Sequence, residues 1–283
     1  YVRPDGEETK EPILVDKCDF SFTLRGEHIK LDYALITVHG TPGENGLLQG
    51  YLDLVGVPYN TGGTLTEALT FNKYYCNRYL STYPNLRVAD SVRLLRNGAR
   101  PSSEELIKRL GLPLFAKPNA GGSSVATSKV ESLEALDKAV ALAFDECDEV
   151  LLERFIAGTE VTCGCYRIGD TITALPVTEV VPKNSFFDFE AKYNGAVEEI
   201  TPARISPELT AQIQELTREI YQHVDARGII RVDYIIEADG RPTLLEVNTT
   251  PGMTPTSFIP QQVKAAGLTM QDLLTDLIQD HLS

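Results

Sequence analysis

Apolar residues along the chain recur with two periods, and their alternation predicts a mixed α/β protein. Residues 34–38 (ALITV) form a short apolar run of buried-strand type that stops abruptly at HGTPGENG. Leu47, Leu48, Tyr51, Leu52 and Val55 then mark one face of a helix, and residues 57–59 read as a short strand. This strand–loop–helix–strand order is that of a partial doubly wound unit, whose opening strand is expected to precede Tyr1. Residues 1–30 carry no strong pattern. A helix predicted over 64–83 opens a second unit, followed by a strand over 88–95, a helix over 103–110 and a strand over 113–117. After the loop NAGGSS come a short strand at 125–129 and a helix with Leu133, Leu136, Val140, Ala143, Phe144 and Cys147 on one side. The last third opens with VLLERF, then places EVTCGCYRI and TITALPVTEVV as adjacent strands around the turn Gly169-Asp170. A helix over 207–224, a hairpin and two short helices complete it. The units divide at 1–61, 62–153 and 154–283.

The hairpin is the most informative segment. RVDYIIE and PTLLEVN flank Ala238-Asp239-Gly240-Arg241, and Asp-Gly is a strong two-residue turn signal. A turn centred there sets Asp233 opposite Glu246 and Arg231 opposite Asn248. Period-two alternation then puts these four on one face, with Val232, Tyr234, Leu245 and Val247 on the other. Two carboxylates about 5 Å apart repel by about 3 kcal/mol at an effective dielectric near 20. A divalent cation such as Mg²⁺ reverses that sign, because hard cations prefer carboxylate and amide oxygens and also take phosphate oxygens. Asp233, Glu246 and Asn248 supply such a ligand set, and Arg231 adds a fork for an anion. A merely solvated polar face would instead mix in Lys and Thr. Beyond the strand, Gly252 allows close backbone approach to a ligand.

Composition narrows the partners. The 283 residues carry 40 acidic against 26 basic side chains, a net charge of −14, which disfavours nucleic acid and anionic lipid. No apolar run is long enough to span a membrane, and residues 1–12 lack the apolar core of a signal peptide. Five cysteines without CxxC spacing fit reduced thiols in the cytoplasm, and four scattered histidines give no zinc site. Cys163 and Cys165 lie two apart in a strand, so both point the same way.

NAGGSSV follows a strand ending in Lys117. Its backbone amides could cradle phosphates with Lys117 as the point charge, although the sequence is not a Walker A motif and a plain hairpin loop would read the same. By themselves Lys73 and Lys192 read as surface lysines. The combination of HGTPGENGLLQG, AKPNAGGSSV, LLER, FDFEAKY, GIIRVDYIIEADG and LLEVNTTPGMTPTSFIP, in this order, closely resembles the D-alanine–D-alanine ligases of the ATP-grasp superfamily. The resemblance runs from about Val38 to the C-terminus.

It implies an α/β fold of the α+β ATP-grasp type, a partial doubly wound N-terminal domain followed by two ATP-grasp subdomains that sandwich ATP. By resemblance Lys73 and Lys117 contact phosphates, and Lys192 reaches the terminal one. Glu153 with the backbone of Arg154, Phe155 and Ile156 holds adenine, and Glu160 the ribose. Asp233, Glu246 and Asn248 hold two Mg²⁺ ions, Mn²⁺ being an acceptable substitute. Arg231 and the Gly252 amide stabilise the oxyanion, Ser257 and Phe258 bind the second substrate's carboxylate, and His39 approaches the first substrate. Ser123 and Tyr193 join the loops that close over the site, and Tyr193 favours an amine as second nucleophile. The implied reaction joins two D-alanines through an acyl phosphate for peptidoglycan precursors, in a cytoplasmic homodimer. The family's opening strand, Gly-rich turn and Glu are not in this sequence, and Ala126 stands where the family's glycine loop has Gly. Another carboxylate–amine ligase of the superfamily, a D-alanine–D-lactate ligase, or a truncated chain that binds nucleotide without turnover are the alternatives.

Overall fold

A computed structural model of the chain describes residues 13–122, 125–182 and 197–282. The unpatterned N-terminal stretch contains a small antiparallel sheet that periodicity did not predict: β1 (Val15–Asp16), β2 (Ser21–Leu24) and β3 (Glu27–Ile29), in that order. Its strands are too short for alternation to register. The predicted strand–helix–strand unit is present around helix α1 (Leu47–Val55), but the two strand-like runs meet in a single parallel bridge, Ala34 to Tyr59. Ile36, Leu52 and Val57 form its small core.

The helix predicted over 64–83 is two helices, α2 (Thr64–Phe71) and α3 (Lys73–Leu80). Asn72 breaks them apart. Its backbone is extended, its side chain accepts from the Tyr75 amide, and it bridges to Ala120, so the residue leaves the first helix to cap the second. Hydropathy does not mark this break, because α2 buries Thr66, Glu67 and Thr70 and leaves Leu65 exposed.

Strands β4 (Ser91–Leu95), β5 (Leu114–Pro118), β6 (Ser128–Val130) and β7 (Glu149–Arg154) form a four-stranded antiparallel sheet of order β4-β7-β5-β6. Helices α4 (Ser103–Leu110) and α5 (Leu133–Glu146) share its core through Leu106, Leu110, Leu136, Val140 and Phe144. A full capping box between Ser102 and Glu105 starts α4.

The second large sheet contains β8 (Gly158–Ile168), β9 (Thr171–Ala174), β10 (Thr178–Pro182), β11 (Val197–Ile200), β12 (Ile229–Glu237) and β13 (Pro242–Asn248). Its order is β11-β10-β8-β12-β13, with β9 also paired to β8. The run TITALPVTEVV, predicted as one strand, is therefore two, both against β8. β9 lies along Cys165 to Ile168 and β10 along Glu160 to Thr162. Helix α6 (Pro207–His223) packs Ile213, Leu216, Ile220 and Tyr221 onto this sheet, where Cys163 and Cys165 both face the core as alternation requires. Helices α7 (Phe258–Ala265) and α8 (Met270–Leu282) cover the remaining side through Ile259, Val263, Leu273 and Leu277. No helix among the described residues is long and apolar enough to cross a membrane.

The β12–β13 hairpin reaches the expected register by an unexpected route. Glu237 pairs with Arg241 across three residues, Ala238, Asp239 and Gly240, with Gly240 at φ +78°. A three-residue turn would displace the ladder by one. A bulge between Asp233 and Tyr234 restores it, because Tyr234 faces Leu244 while Asp233 faces Glu246. Leu245 is the extra residue. It is Leu244, not Leu245, that packs in the core with Val232, Tyr234 and Val247. Gly240→Ala is expected to cost roughly 1–2 kcal/mol of stability in urea unfolding, because the left-handed backbone penalises a Cβ even though nothing crowds it.

Candidate functional site

The bulged hairpin delivers Asp233 into the middle of the sheet, between Thr162 on β8 and Glu246 on β13. Asp233 is 7% exposed, so its charge must be met by protein groups. The Arg231 guanidinium forks onto it, Nε to Oδ1 at 2.9 Å and Nη2 to Oδ2 at 2.8 Å. Thr162 Oγ1 donates to Oδ1 at 2.6 Å and Asn248 Nδ2 to Oδ2 at 3.1 Å. Each carboxylate oxygen thus accepts two hydrogen bonds, close to its capacity. Burial opposes the charge on Arg231, but the attraction and hydrogen bonds of Asp233 outweigh it and hold the guanidinium above its usual pKa. The opposed carboxylates are therefore not left to repel one another. Arg231 offsets Asp233, and Lys73 Nζ lies 3.9 Å from Glu246 Oε2.

Asn248 and Glu246 line a narrow cleft, partly open to solvent, with Lys73, Gly121, Gly122 and Glu44 among its other walls. Lys73, the first residue of α3, donates to the Gly121 carbonyl at 2.7 Å. Burial lowers its pKa, against the attraction of Glu246. Lys117, at the end of β5, donates to Glu153 Oε2 on β7 at 2.6 Å, both side chains being buried. The Arg154 and Phe155 amides go to the carbonyls of Asp90 and Pro113. Glu160 stands on β8 opposite Ile235 and Val180.

The opposite wall is built from the N-terminal unit. His39 Nδ1 sits 3.1 Å from the Thr250 carbonyl and 3.3 Å from Glu44 Oε2. A Cβ added at Gly122 would come within 3.3 Å of His39 Nε2, so the imidazole abuts the glycine loop. At Gly252 an added Cβ would lie 2.8 Å from Ser257 Oγ, which explains the glycine by close approach. Ser257 begins α7, and the Arg231 guanidinium lies 5.2 Å above the Phe258 ring. The structure thus brings together Lys73, Arg231, Asp233, Glu246, Asn248 and His39. Gly252, Ser257 and Phe258 meet at the start of α7, and the Lys117–Glu153 pair on the four-stranded sheet lies close enough to Lys73 for both charges to act on it. Ser123, Lys192 and Tyr193 lie outside the described residues.

Two carboxylates and a carboxamide on adjacent strands suit a hard cation such as Mg²⁺, while no three His, Cys, Asp or Glu gather among the described residues. The Arg231 fork occupies the face of Asp233 that such a cation would contest.

Sequence reasoning missed two further carboxylates, Glu44 in the wall of the cleft and Glu67 behind it. Glu44 Oε2 accepts from the Gly40 amide at 2.8 Å and Oε1 from the Thr250 amide at 3.3 Å. Its only sequence signal was membership in HGTPGENG. Glu67 accepts from Thr249 Oγ1 at 2.5 Å and is fully buried, whereas Leu65 on the same helix is 80% exposed. No hydropathy pattern could find it. Burial first, and then Glu44, push the Glu67 carboxyl up to about 8, while hydrogen bonds from Thr249 and Gly62 pull the other way. A raised carboxyl pKa means that the folded chain holds a proton the unfolded chain has released. This contribution to stability is complete below about 4.5 and is lost as pH rises towards 8. Glu67→Gln should remove that component, so thermal unfolding at several pH values should show the wild type losing ground to the variant across this window and no further above it.

Comparisons with known proteins agree with this geometry. The family described as D-ala D-ala ligase C-terminus matches residues 83–279. A D-alanine–D-alanine ligase of Porphyromonas gingivalis is 64% identical over 271 residues, which is 96% of this chain and 82% of the relative. Among solved structures, VanG D-Ala:D-Ser ligase from Enterococcus faecalis superposes with a TM-score of 0.85 at 34% identity, covering 95% of this chain and 79% of the other. A D-alanine–D-alanine ligase from Bacillus anthracis complexed with ATP superposes with a TM-score of 0.75 at 28% identity, over 89% of this chain and 79% of the other.

Proposed function

The chain belongs to the D-alanine–D-alanine ligase family, and from that premise we infer that it uses ATP to join two D-alanines by a C–N bond for peptidoglycan precursors. The observation that carries the placement of this reaction is the cleft in which Glu246 and Asn248, with Asp233 beside them, face Lys73 and the Gly121-Gly122 turn.

In this reading the carboxylate of the first D-alanine attacks the γ-phosphate of ATP, giving an acyl phosphate and ADP. The amine of the second D-alanine then attacks the acyl carbon, forms the C–N bond and expels phosphate, with loss of the ammonium protons. Two Mg²⁺ ions, held by Asp233, Glu246 and Asn248, would neutralise phosphate charge when bound. Lys73 reaches the phosphates from the head of α3 and Lys117 from the end of β5. Its hydrogen bond to Glu153 keeps the Lys117 ammonium extended beside the strand that would face adenine. Glu153 and the backbone of Arg154, Phe155 and Ile156 form the adenine side, and Glu160 the ribose side. Arg231 and the Gly252 amide stabilise the tetrahedral oxyanion by preorganised charge and dipole. Arg231 already sits against Phe258, next to Ser257, where the second substrate's carboxylate would bind. His39, fixed by Glu44 and the Thr250 carbonyl, turns towards the glycine loop and the first substrate. The division at 1–61, 62–153 and 154–283, a homodimeric state and a cytoplasmic location, where ATP is at hand, belong to the same proposal.

Incubation with ATP, Mg²⁺ and D-alanine should release ADP and phosphate and yield the dipeptide. D-serine or D-lactate offered as second substrate should be consumed more slowly. Release of ADP only with a different amino acid would contradict the substrate assignment. Glu246→Gln should lower turnover by at least about a thousandfold while leaving the unfolding transition in place, because it removes ligand charge from the cleft without removing core packing.

A further inference from the structure

We propose that Glu67 is a positioning residue of this ligase, fixing residues 248–250 through its hydrogen bond to the Thr249 hydroxyl. The inference rests on the reading of the cleft given above, in which Asn248 is a metal ligand.

Helix α2 is inverted relative to ordinary amphipathic helices. Thr66, Glu67 and Thr70 are buried, while Leu65 is exposed. Burying a carboxyl group costs free energy unless it is compensated. Among the described residues no cation compensates Glu67, whose carboxyl is met only by the Thr249 hydroxyl and the Gly62 amide. Folding alone therefore gives little reason for an acid at this position. What the side chain does reach is Thr249 Oγ1, at 2.5 Å.

That contact closes a three-way restraint. Asn248 is tied to Asp233 inside the sheet, and Thr250 to Glu44 and Gly43 of the N-terminal unit. Thr249, between them, is held among the described side chains by Glu67 alone. The helix that carries Glu67 is itself anchored, because Thr66 Oγ1 donates to the Val224 carbonyl at 2.9 Å. It also runs through Asn72 into Lys73, whose ammonium faces Glu246. One hydrogen bond thus couples the segment after β13 to the element that positions the phosphate-facing lysine. Without it, the Thr249 hydroxyl loses its buried acceptor and residues 248–250 can turn about their two outer ties.

The test is a double-mutant cycle with Glu67→Ala, Thr249→Val and both together, alongside Glu67→Gln. The readouts are kcat and KM for D-alanine, the Mg²⁺ concentration for half-maximal rate, Mn²⁺ binding in the presence of ATP followed by electron paramagnetic resonance, and melting temperature. Loss of one buried hydrogen bond predicts about a tenfold fall in kcat for each single variant and weaker Mn²⁺ binding in both. The double variant should be no worse than the poorer single one, and Glu67→Gln should recover to within about threefold of wild type. Multiplying losses in the double variant would overturn the proposal. So would a Glu67→Ala protein with altered melting but unchanged kcat, metal requirement and Mn²⁺ binding. If Glu67→Ala does not fold, Thr249→Val and Glu67→Gln still decide, since wild-type metal binding and rate in Thr249→Val would exclude the role. A wild-type protein that releases no ADP from D-alanine would instead sink the functional reading, and the Mn²⁺ comparison would still report on Glu67.

Discussion

Asp233 lies within a six-stranded sheet with both carboxylate oxygens hydrogen-bonded, and the placement of the neighbouring groups follows from keeping that charge satisfied. Three strands contribute: Thr162 from β8, Arg231 from β12 and Asn248 from β13. A buried ion pair adds little net stability, since desolvation consumes much of the attraction, but removing one partner leaves the other charge stranded at a cost of about 3–5 kcal/mol. The arrangement therefore acts mainly on geometry. It keeps the Arg231 fork planar against Asp233 and the Asn248 amide turned inward, with Glu246 beside Lys73 at the cleft.

Two further acids engage backbone and hydroxyl groups, one in the opposite wall of the cleft and one buried behind it. Glu44 gathers the Gly40 and Thr250 amides and lies beside His39, and Glu67 receives the Thr249 hydroxyl. The chain leaving β13 is thus pinned residue by residue between the sheet, α2 and the N-terminal unit. Such rigidity suits phosphoryl transfer, where most of the rate comes from positioning and charge already in place. It also explains why α2 breaks at Asn72. The break lets Lys73 start a new helix pointing at the cleft while Glu67 stays buried beneath it.

The face of the hairpin was legible in the sequence because strand alternation is strict and the pairing of Asp233 with Glu246 sits within a few residues of a marked turn. The reading was right there for an incomplete reason. A three-residue turn and a one-residue bulge cancel, so the partners agreed while the core leucine was misassigned from Leu244 to Leu245. The repulsion between Asp233 and Glu246 is relieved in a way no sequence pattern shows, because Arg231 folds back on Asp233. Long-range contacts were out of reach altogether: Glu67 meets Thr249 across 182 positions and Glu44 meets Thr250 across 206. The short strands β1 to β3 escaped because two to four residues cannot establish a period.

The inferred divalent-cation site lies on the cleft face of β12 and β13, where it would serve ATP. Anomalous diffraction from crystals grown with Mn²⁺ and a non-hydrolysable ATP analogue tests it most directly. Manganese peaks are expected within about 2.3 Å of oxygens of Asp233, Glu246 and Asn248, close to the usual range for hard cations. Nucleotide bound with its metal elsewhere, and the Arg231 fork still closed on Asp233, would contradict it.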